Sequence, residues 1–157
     1  VFSAGQALLA AKAGATYISP FVGRVDDDLR SKAKLKFNKT DHYPVWGKCN
    51  KDKLIHDNGI VSGIDLVESC IRIFKNYNIK TKVLAASLRN TRQVREAAIV
   101  GSDIATLPLF VIQDMLKHYQ TYDGMKGFTK DKIEEYEELL RWFQIIKIKE
   151  LDWRINI

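Results

Sequence analysis

Short continuous runs of apolar residues alternate along the chain with segments in which apolar residues recur every three or four positions. The continuous runs predict buried strands, and the second pattern predicts amphipathic helices. Three strands are expected, at 15–19, 82–86 and 103–107. Helices are expected at 5–14, 60–77, 92–100, 110–119 and 130–149. Residues 23–59 are polar and show neither pattern, so we predict a long connection there.

Local signals mark where several of these elements begin and end. Ser3 followed by Gln6 is a capping-box pattern for the first helix. Asn90 or Thr91 is expected to cap the helix that Gly101 ends. The helix at 60–77 is expected to bury one face, made of Ile64, Val67, Ile71, Phe74 and Tyr77.

The order of these elements predicts an α/β fold with parallel strands. Strands that are separated by helices cannot pair as hairpins, and they pair in parallel through crossover connections. At Gly14 a predicted helix ends, and the strand that follows ends at Pro20. The same order of helix end, strand and proline recurs from Gly101 to Pro108. A repeated βα unit is typical of a (β/α)8 barrel, although three strands are too few to close one.

Polar and cationic side chains follow the first two predicted strands. Ser19, Phe21 and Arg24 follow the first strand, and Ser87 and Arg89 follow the second. The carboxyl ends of parallel strands meet at one edge of a sheet, where arginines donate paired hydrogen bonds to phosphate oxygens. Each arginine alone is better explained as a surface residue, which is what most arginines are. The two matched sets together favour a phosphate-binding site.

Three segments carry a family resemblance. Residues 11–24, which contain Ser-Pro-Phe-Val-Gly-Arg, resemble the transaldolase and fructose-6-phosphate aldolase family, as do residues 83–93 and 101–109. The resemblance implies a TIM (β/α)8 barrel of the class I aldolase type. It implies that residues 1–125 supply roughly the second half of the barrel and residues 126–157 a carboxy-terminal helical tail.

The resemblance also implies a reaction and a substrate class. In the family a lysine forms a Schiff base with a ketose phosphate, and a dihydroxyacetone unit then passes to an aldehyde acceptor. The expected substrate is therefore a sugar phosphate of the fructose 6-phosphate or sedoheptulose 7-phosphate class. Lysine suits this role where burial lowers its pKa, so that the neutral amine attacks a carbonyl.

Residue by residue, the resemblance assigns five binding positions. Ser19 matches a substrate-contacting serine, and Phe21 matches a pocket aromatic that is tyrosine in the aldolase branch. Arg24 and Arg89 match the phosphate-binding arginines, and Ser87 matches the serine beside them. No residue here matches the catalytic lysine, which we expect upstream of this chain. The chain by itself is therefore expected to be inactive, and no cofactor is expected.

Two other functions stay open beside transaldolase. One is fructose-6-phosphate aldolase activity, and the other is a non-catalytic half-barrel that binds sugar phosphates. A half-barrel exposes sheet edges, so we expect a homo-oligomer or a need for the missing half. His42, Cys49 and His56 are spaced by seven and match no zinc pattern, so no metal is expected.

The net charge of +6 comes entirely from one window, residues 29–56. Compact relatives have only a few residues in this region, which implies a basic insertion at about 26–58. A solvated or disordered insertion is the expected structure of a lone charge run. Binding of single-stranded nucleic acid is the alternative, because Phe37, His42, Tyr43 and Trp46 interleave with the lysines. We expect no nucleic-acid partner.

Two sequence features bear on the cellular compartment. No run approaches the ~18–20 apolar residues of a membrane span, so no membrane partner is expected. Cys49 and Cys70 form no disulfide framework, which favours a reducing compartment and a cytoplasmic location.

Overall fold

The computed structural model describes residues 1–130, in which residues 1–116 form one compact unit and a second unit begins at Lys117. The helices are α1 (Ala4–Lys12), α2 (Val22–Lys32), α3 (Gly63–Asn76), α4 (Thr91–Val100), α5 (Leu109–Met115) and α6 (Tyr119–Lys130). The strands are β1 (Tyr17–Ile18), β2 (Cys49–Asn50), β3 (Lys53–Leu54), β4 (Lys82–Ala85) and β5 (Ile104–Ala105).

The three predicted strands form one parallel sheet in the order β1-β4-β5. Ile18 pairs with Val83, and Ala85 pairs with Ala105. The predicted α/β class and the parallel pairing are therefore confirmed within the described residues. Closure into an eight-stranded barrel stays a prediction.

The core lies where α3 packs against α1, α2, α4 and β4. The predicted inner face of α3 is confirmed at four positions, which are the buried residues Ile64, Val67, Ile71 and Phe74. The prediction is wrong for Tyr77, which is 66% exposed. The helix ends at Asn76, so Tyr77 is the C-cap and leaves the helical period.

The predicted caps hold the helix ends. The Ser3 hydroxyl accepts a hydrogen bond from Gln6 N at 3.2 Å, and the Gln6 side chain accepts one from Phe2 N at 2.9 Å. Asn90 is the N-cap of α4. Gly101 adopts the left-handed conformation that ends α4, with φ of 91°.

The polar connection predicted over 23–59 is corrected at its start. Residues Val22–Lys32 form α2, in which Val22, Val25 and Leu29 are buried at helical spacing. Buried charged residues, Asp26 and Arg30, share this inner side and obscured the apolar period. The predicted basic insertion at about 26–58 therefore begins inside an ordered helix.

The rest of that region is also ordered. Residues 49–54 form an antiparallel hairpin whose turn residues, Lys51 and Asp52, both have positive φ, as a type I′ turn requires. Tyr43 is 1% exposed, and the Ser62 hydroxyl donates to Val45 O at 2.7 Å. The residues of the hairpin are all exposed, which agrees with the expectation of a solvated insertion, whereas disorder does not describe this part of the chain.

The last two predicted helices, at 110–119 and 130–149, compare differently with the structure. The helix predicted at 110–119 is two helices, α5, which ends at Met115, and the start of α6 at Tyr119. The helix predicted at 130–149 lies almost entirely outside the described residues. Across residues 1–130, no helix has the length and apolar character needed to cross a membrane.

Candidate functional site

The two predicted strand ends are neighbours in the structure. The parallel pairing of β1 and β4 continues past both strands to a bridge between Phe21 and Ala86. Ala86 N donates to Pro20 O at 3.0 Å, and Val22 N donates to Ala86 O at 2.9 Å. Because this bridge joins the two chain segments, residues 19–24 and 87–89 lie at the same edge of the sheet.

Arg24 and Phe21 form the outer part of this edge. The Arg24 guanidinium lies 4.8 Å from the centre of the Phe21 ring, and the Arg24 side chain is exposed. Phe21 also stacks on Phe2, with ring centres 5.7 Å apart. Ser19 is half-buried, and its carbonyl oxygen accepts a hydrogen bond from Val1 N at 2.7 Å.

Ser87 adopts a backbone conformation that is unusual for a residue with a side chain. Its φ is 62°, in the left-handed region. Non-glycine residues in that region are held there by surrounding contacts and cluster at functional sites. Its carbonyl oxygen lies against the backbone of Gly23. If residue 23 had a Cβ atom, that atom would be 2.5 Å from the Ser87 oxygen. The strand end therefore turns sharply at Ser87 and directs Arg89 back over α2.

Arg89 is held by contacts on its side chain. Its Nη1 donates to Asp27 Oδ2 at 2.7 Å and to Lys39 O at 3.4 Å. Its Nε would be 2.7 Å from a Cβ at Gly23, so the guanidinium rests on the first turn of α2. The side chain is 17% exposed. This predicted site residue is therefore ordered at the strand edge while still reached by solvent.

Sequence reasoning missed two buried polar residues beside Arg89. Asp26 accepts hydrogen bonds from Gly63 N at 2.7 Å and from Gln93 Nε2 at 2.9 Å. The Gln93 side chain in turn accepts from Arg89 N at 2.7 Å. Burial is the main cause that raises the pKa of Asp26 to about 6, against the opposing effect of these hydrogen bonds. The available signal was helical spacing, since Asp26 lies four residues after the buried Val22.

Residues 39–43, called the flanking segment here, lie beside the same edge. Hydrogen bonds join Arg89 to Lys39 O, Asn90 to Thr40 O, Arg30 to Asp41 O, and His42 to Glu96. The Arg30 guanidinium also lies 4.9 Å from the centre of the buried Tyr43 ring. The flanking segment is thus bound to α2 and α4.

The arrangement is suited to holding an anion. Arg24 and Arg89 provide cationic donors at one edge, where strand ends and two helix starts meet. Every lysine at positions 1–128 is exposed, so this part of the chain has no buried amine with the environment a Schiff-base lysine needs. Among residues 1–130, no group of three His, Cys, Asp or Glu side chains is placed to hold a metal ion.

A cleft of about 330 Å³ lies elsewhere in the first unit. It is lined by the start of β4 and the end of α3, including Lys82, Asp103 and Phe74. It therefore lies at the amino end of β4, whereas the candidate site lies at the carboxyl end.

Comparison with known proteins gives consistent matches. Residues 1–152 match a family model described as Transaldolase/Fructose-6-phosphate aldolase. A probable transaldolase of Bacteroides thetaiotaomicron is 43% identical over 131 residues, which are 83% of this chain and 46% of the relative. One of Caldicellulosiruptor saccharolyticus is 44% identical over 132 residues, 83% of this chain and 46% of the relative. One of Caulobacter vibrioides is 42% identical over 130 residues, with the same coverage. The chain spans about half the length of these relatives.

Proposed function

The chain belongs to the transaldolase/fructose-6-phosphate aldolase family, and on this premise we propose that it is the phosphate-binding half of a transaldolase-type enzyme. The enzyme would transfer a dihydroxyacetone unit between sugar phosphates through a lysine Schiff base. The lysine would belong to the part of the enzyme that this chain does not span. The substrate would be of the fructose 6-phosphate or sedoheptulose 7-phosphate class.

The single observation that carries the proposal is the bridge between Phe21 and Ala86. It joins the two strand ends, so that Arg24 and Arg89 belong to one edge of the sheet. Two arginines at such an edge match the double negative charge of a phosphate monoester. The residues that follow β1, or those that follow β4, would not by themselves distinguish a binding site from arginines that merely lie on the surface.

The proposed role of this half is binding and orientation. The arginines hold the phosphate of the ketose, which fixes the distance between this phosphate and the carbonyl carbon of the ketose. The lysine then attacks that carbonyl carbon. Loss of water gives the Schiff base, which accepts the electron pair when the C3–C4 bond breaks. The C4 hydroxyl loses its proton, and glyceraldehyde 3-phosphate leaves when the substrate is fructose 6-phosphate. Binding energy at the phosphate thereby lowers the entropic cost of alignment at the reacting carbon.

Phe21 supports transaldolase over aldolase activity. Its ring is packed between Phe2 and Arg24 and carries no hydroxyl. A phenylalanine cannot hold a water or proton at this position as a tyrosine does. The dihydroxyacetone unit would therefore stay on the lysine until an acceptor aldehyde arrives.

The test uses a hybrid protein. The part of the Bacteroides thetaiotaomicron relative that this chain does not match is joined ahead of Val1, and fructose 6-phosphate is added with borohydride. We expect a covalent three-carbon adduct in the hybrid and none in the 157-residue chain alone. A folded hybrid without an adduct would overturn the proposal. Free dihydroxyacetone released without an acceptor would instead indicate aldolase activity.

A non-catalytic half-barrel that binds sugar phosphates is the second candidate. The observation that favours it is the exposure of every lysine at positions 1–128. It predicts that fructose 6-phosphate binds with Arg89 required while the hybrid forms no adduct. The two candidates therefore differ in adduct formation and agree in binding.

We also propose a homo-oligomer in the cytoplasm. The support is the outer strand of the parallel sheet, β5, both residues of which are exposed. An exposed strand edge favours pairing with another chain. Sedimentation of the full chain tests this, and a monodisperse monomer would contradict it.

A further inference from the structure

We propose that Asp27 is the positioning residue of Arg89, and that it orients the guanidinium toward a phosphate. This inference rests on the proposed function, because it concerns the same site. Asp27 lies one turn into α2 and is 21% exposed in its side chain. No signal in the sequence distinguishes it from its neighbours in the run Asp26–Asp28.

The contact between the two side chains is short and charged. Arg89 Nη1 lies 2.7 Å from Asp27 Oδ2, and both side chains are mostly shielded from water. Charge-assisted hydrogen bonds of this kind are about twice as strong as neutral ones. The other Asp27 oxygen, Oδ1, is buried and has no hydrogen-bond partner among the described residues, although Arg30 Nη1 is 3.7 Å away.

The backbone of Arg89 is held by the residue next to Asp27. Gln93 accepts from Arg89 N at 2.7 Å and donates to Asp26 at 2.9 Å. Asp27 therefore holds the side chain of Arg89 directly, and Asp26 fixes its backbone indirectly through Gln93. This leaves the guanidinium few orientations.

The orientation decides which edge of the guanidinium is presented. Nη1 bonds Asp27 and Lys39 O, while Nε and Nη2 have no hydrogen-bond acceptor within residues 1–130. Nε and Nη2 form one fork of the planar group, and such a fork matches two phosphate oxygens. Asp27 thus occupies Nη1 and leaves the Nε–Nη2 fork, which lies beside the first turn of α2, for a ligand.

A positioning role and a purely electrostatic role of Asp27 predict opposite effects on phosphate binding when its carboxylate is removed. If the carboxylate only reduces the positive potential, its removal strengthens phosphate binding. If it positions Arg89, its removal weakens binding, because a free arginine loses more conformational freedom when a ligand binds. Asp27→Asn removes the charge but keeps an oxygen that can accept from Nη1. Asp27→Ala removes both.

The experiment titrates inorganic phosphate into the full 157-residue chain. We expect Asp27→Ala to weaken binding by about tenfold and Asp27→Asn to stay within threefold of the unsubstituted chain. Arg72→Ala, at an exposed position of α3, is the matched control. In the Arg89→Ala background, Asp27→Ala is expected to have no further effect on phosphate affinity. In the hybrid enzyme, Asp27→Ala is expected to raise KM by a similar factor and to leave kcat largely unchanged.

The outcomes separate this inference from the function it rests on. Unchanged or tighter phosphate binding by Asp27→Ala overturns the positioning role while leaving the site in place. Unchanged binding by Arg89→Ala overturns the phosphate site itself. Asp27→Glu keeps the charge and displaces the carboxylate, so it replaces the alanine variant if that protein does not fold. Weaker binding is then expected, and unchanged affinity counts against the proposal.

Discussion

The backbone of Gly23 lies directly against the carbonyl oxygen of Ser87. A Cβ atom at position 23 would be 2.5 Å from that oxygen and 2.7 Å from Arg89 Nε. Real Cβ atoms do not approach other heavy atoms so closely, so the glycine is required for the approach of the two segments. The first turn of α2 and the end of β4 are thereby joined without any side chain between them.

Substitution of Gly23 by alanine is expected to destabilise the protein by about 1–3 kcal/mol, as overpacking does in a dense interior. The methyl group would displace both Ser87 and Arg89, so phosphate affinity is expected to fall as well. Urea unfolding measures the first effect, and phosphate titration measures the second. Gly124→Ala is the control, because a Cβ there meets nothing within 4 Å. Equal free energies of unfolding for the two variants would contradict the close contact.

Asp26 is expected to make stability depend on pH. Burial raises its pKa to about 6 from 3.8, so the folded protein retains a proton that the unfolded chain loses. Its contribution to stability is therefore complete below pH 4 and is lost as the pH rises through about 6. The loss is roughly 2–3 kcal/mol. Urea unfolding measures the free energy of unfolding of the unsubstituted protein and of Asp26→Asn. The difference in favour of the unsubstituted protein should fall by this amount between pH 4 and pH 7.

Asp103 provides the control of opposite sign. Its hydrogen bond with Lys82 is the main cause that lowers its pKa, with a further contribution from Val83 N. Its contribution is therefore present above its ordinary pKa and is lost as the pH falls. Asp103→Asn should accordingly cost more at pH 7 than at pH 3. A pH slope of the same sign in both variants would contradict these assignments.

Asn90 is expected to stabilise two regions at once. Its Oδ1 accepts from Gln93 N at 2.9 Å, and its Nδ2 donates to Thr40 O at 3.1 Å. Asn90→Ala loses both contacts and should cost about 1–2 kcal/mol. Asn90→Asp keeps the cap and loses only the contact with the flanking segment, which is worth about 0.5–1 kcal/mol. Thermal unfolding measures both losses, and an equal loss in the two variants would show that the cap contributes nothing.

Arg24 is expected to affect binding without affecting stability. Its side chain is exposed and contacts the face of Phe21. Arg24→Ala should raise the KM of the hybrid enzyme for fructose 6-phosphate by about tenfold, which corresponds to one lost charged contact. The free energy of unfolding should change by less than about 0.5 kcal/mol. Arg72→Ala is the control, and an equal KM in the two variants would remove Arg24 from the site.

Much of the fold followed from local patterns in the sequence. Parallel pairing was expected because helices separate the strands along the chain. A cap at Asn90 or Thr91 and the helix stop at Gly101 were expected because each depends on residues within a few positions. The grouping of Ser19, Phe21 and Arg24 with Ser87 and Arg89 at one edge also followed, because parallel strands place their carboxyl ends together. Their role in binding phosphate stays a prediction.

The sequence by itself determined the order of α1, β1, α3, β4, α4 and β5, since apolar spacing and caps act over short distances. Only the tertiary structure decided that Asp26 is buried and that Asp27 contacts Arg89. The donors to Asp26 come from Gly63 and Gln93, which are 37 and 67 residues away. A carboxylate is buried only where folding brings such donors to it, because desolvation otherwise costs too much. Helical spacing indicates the side of α2 on which Asp26 lies, but no local pattern records the distant donors.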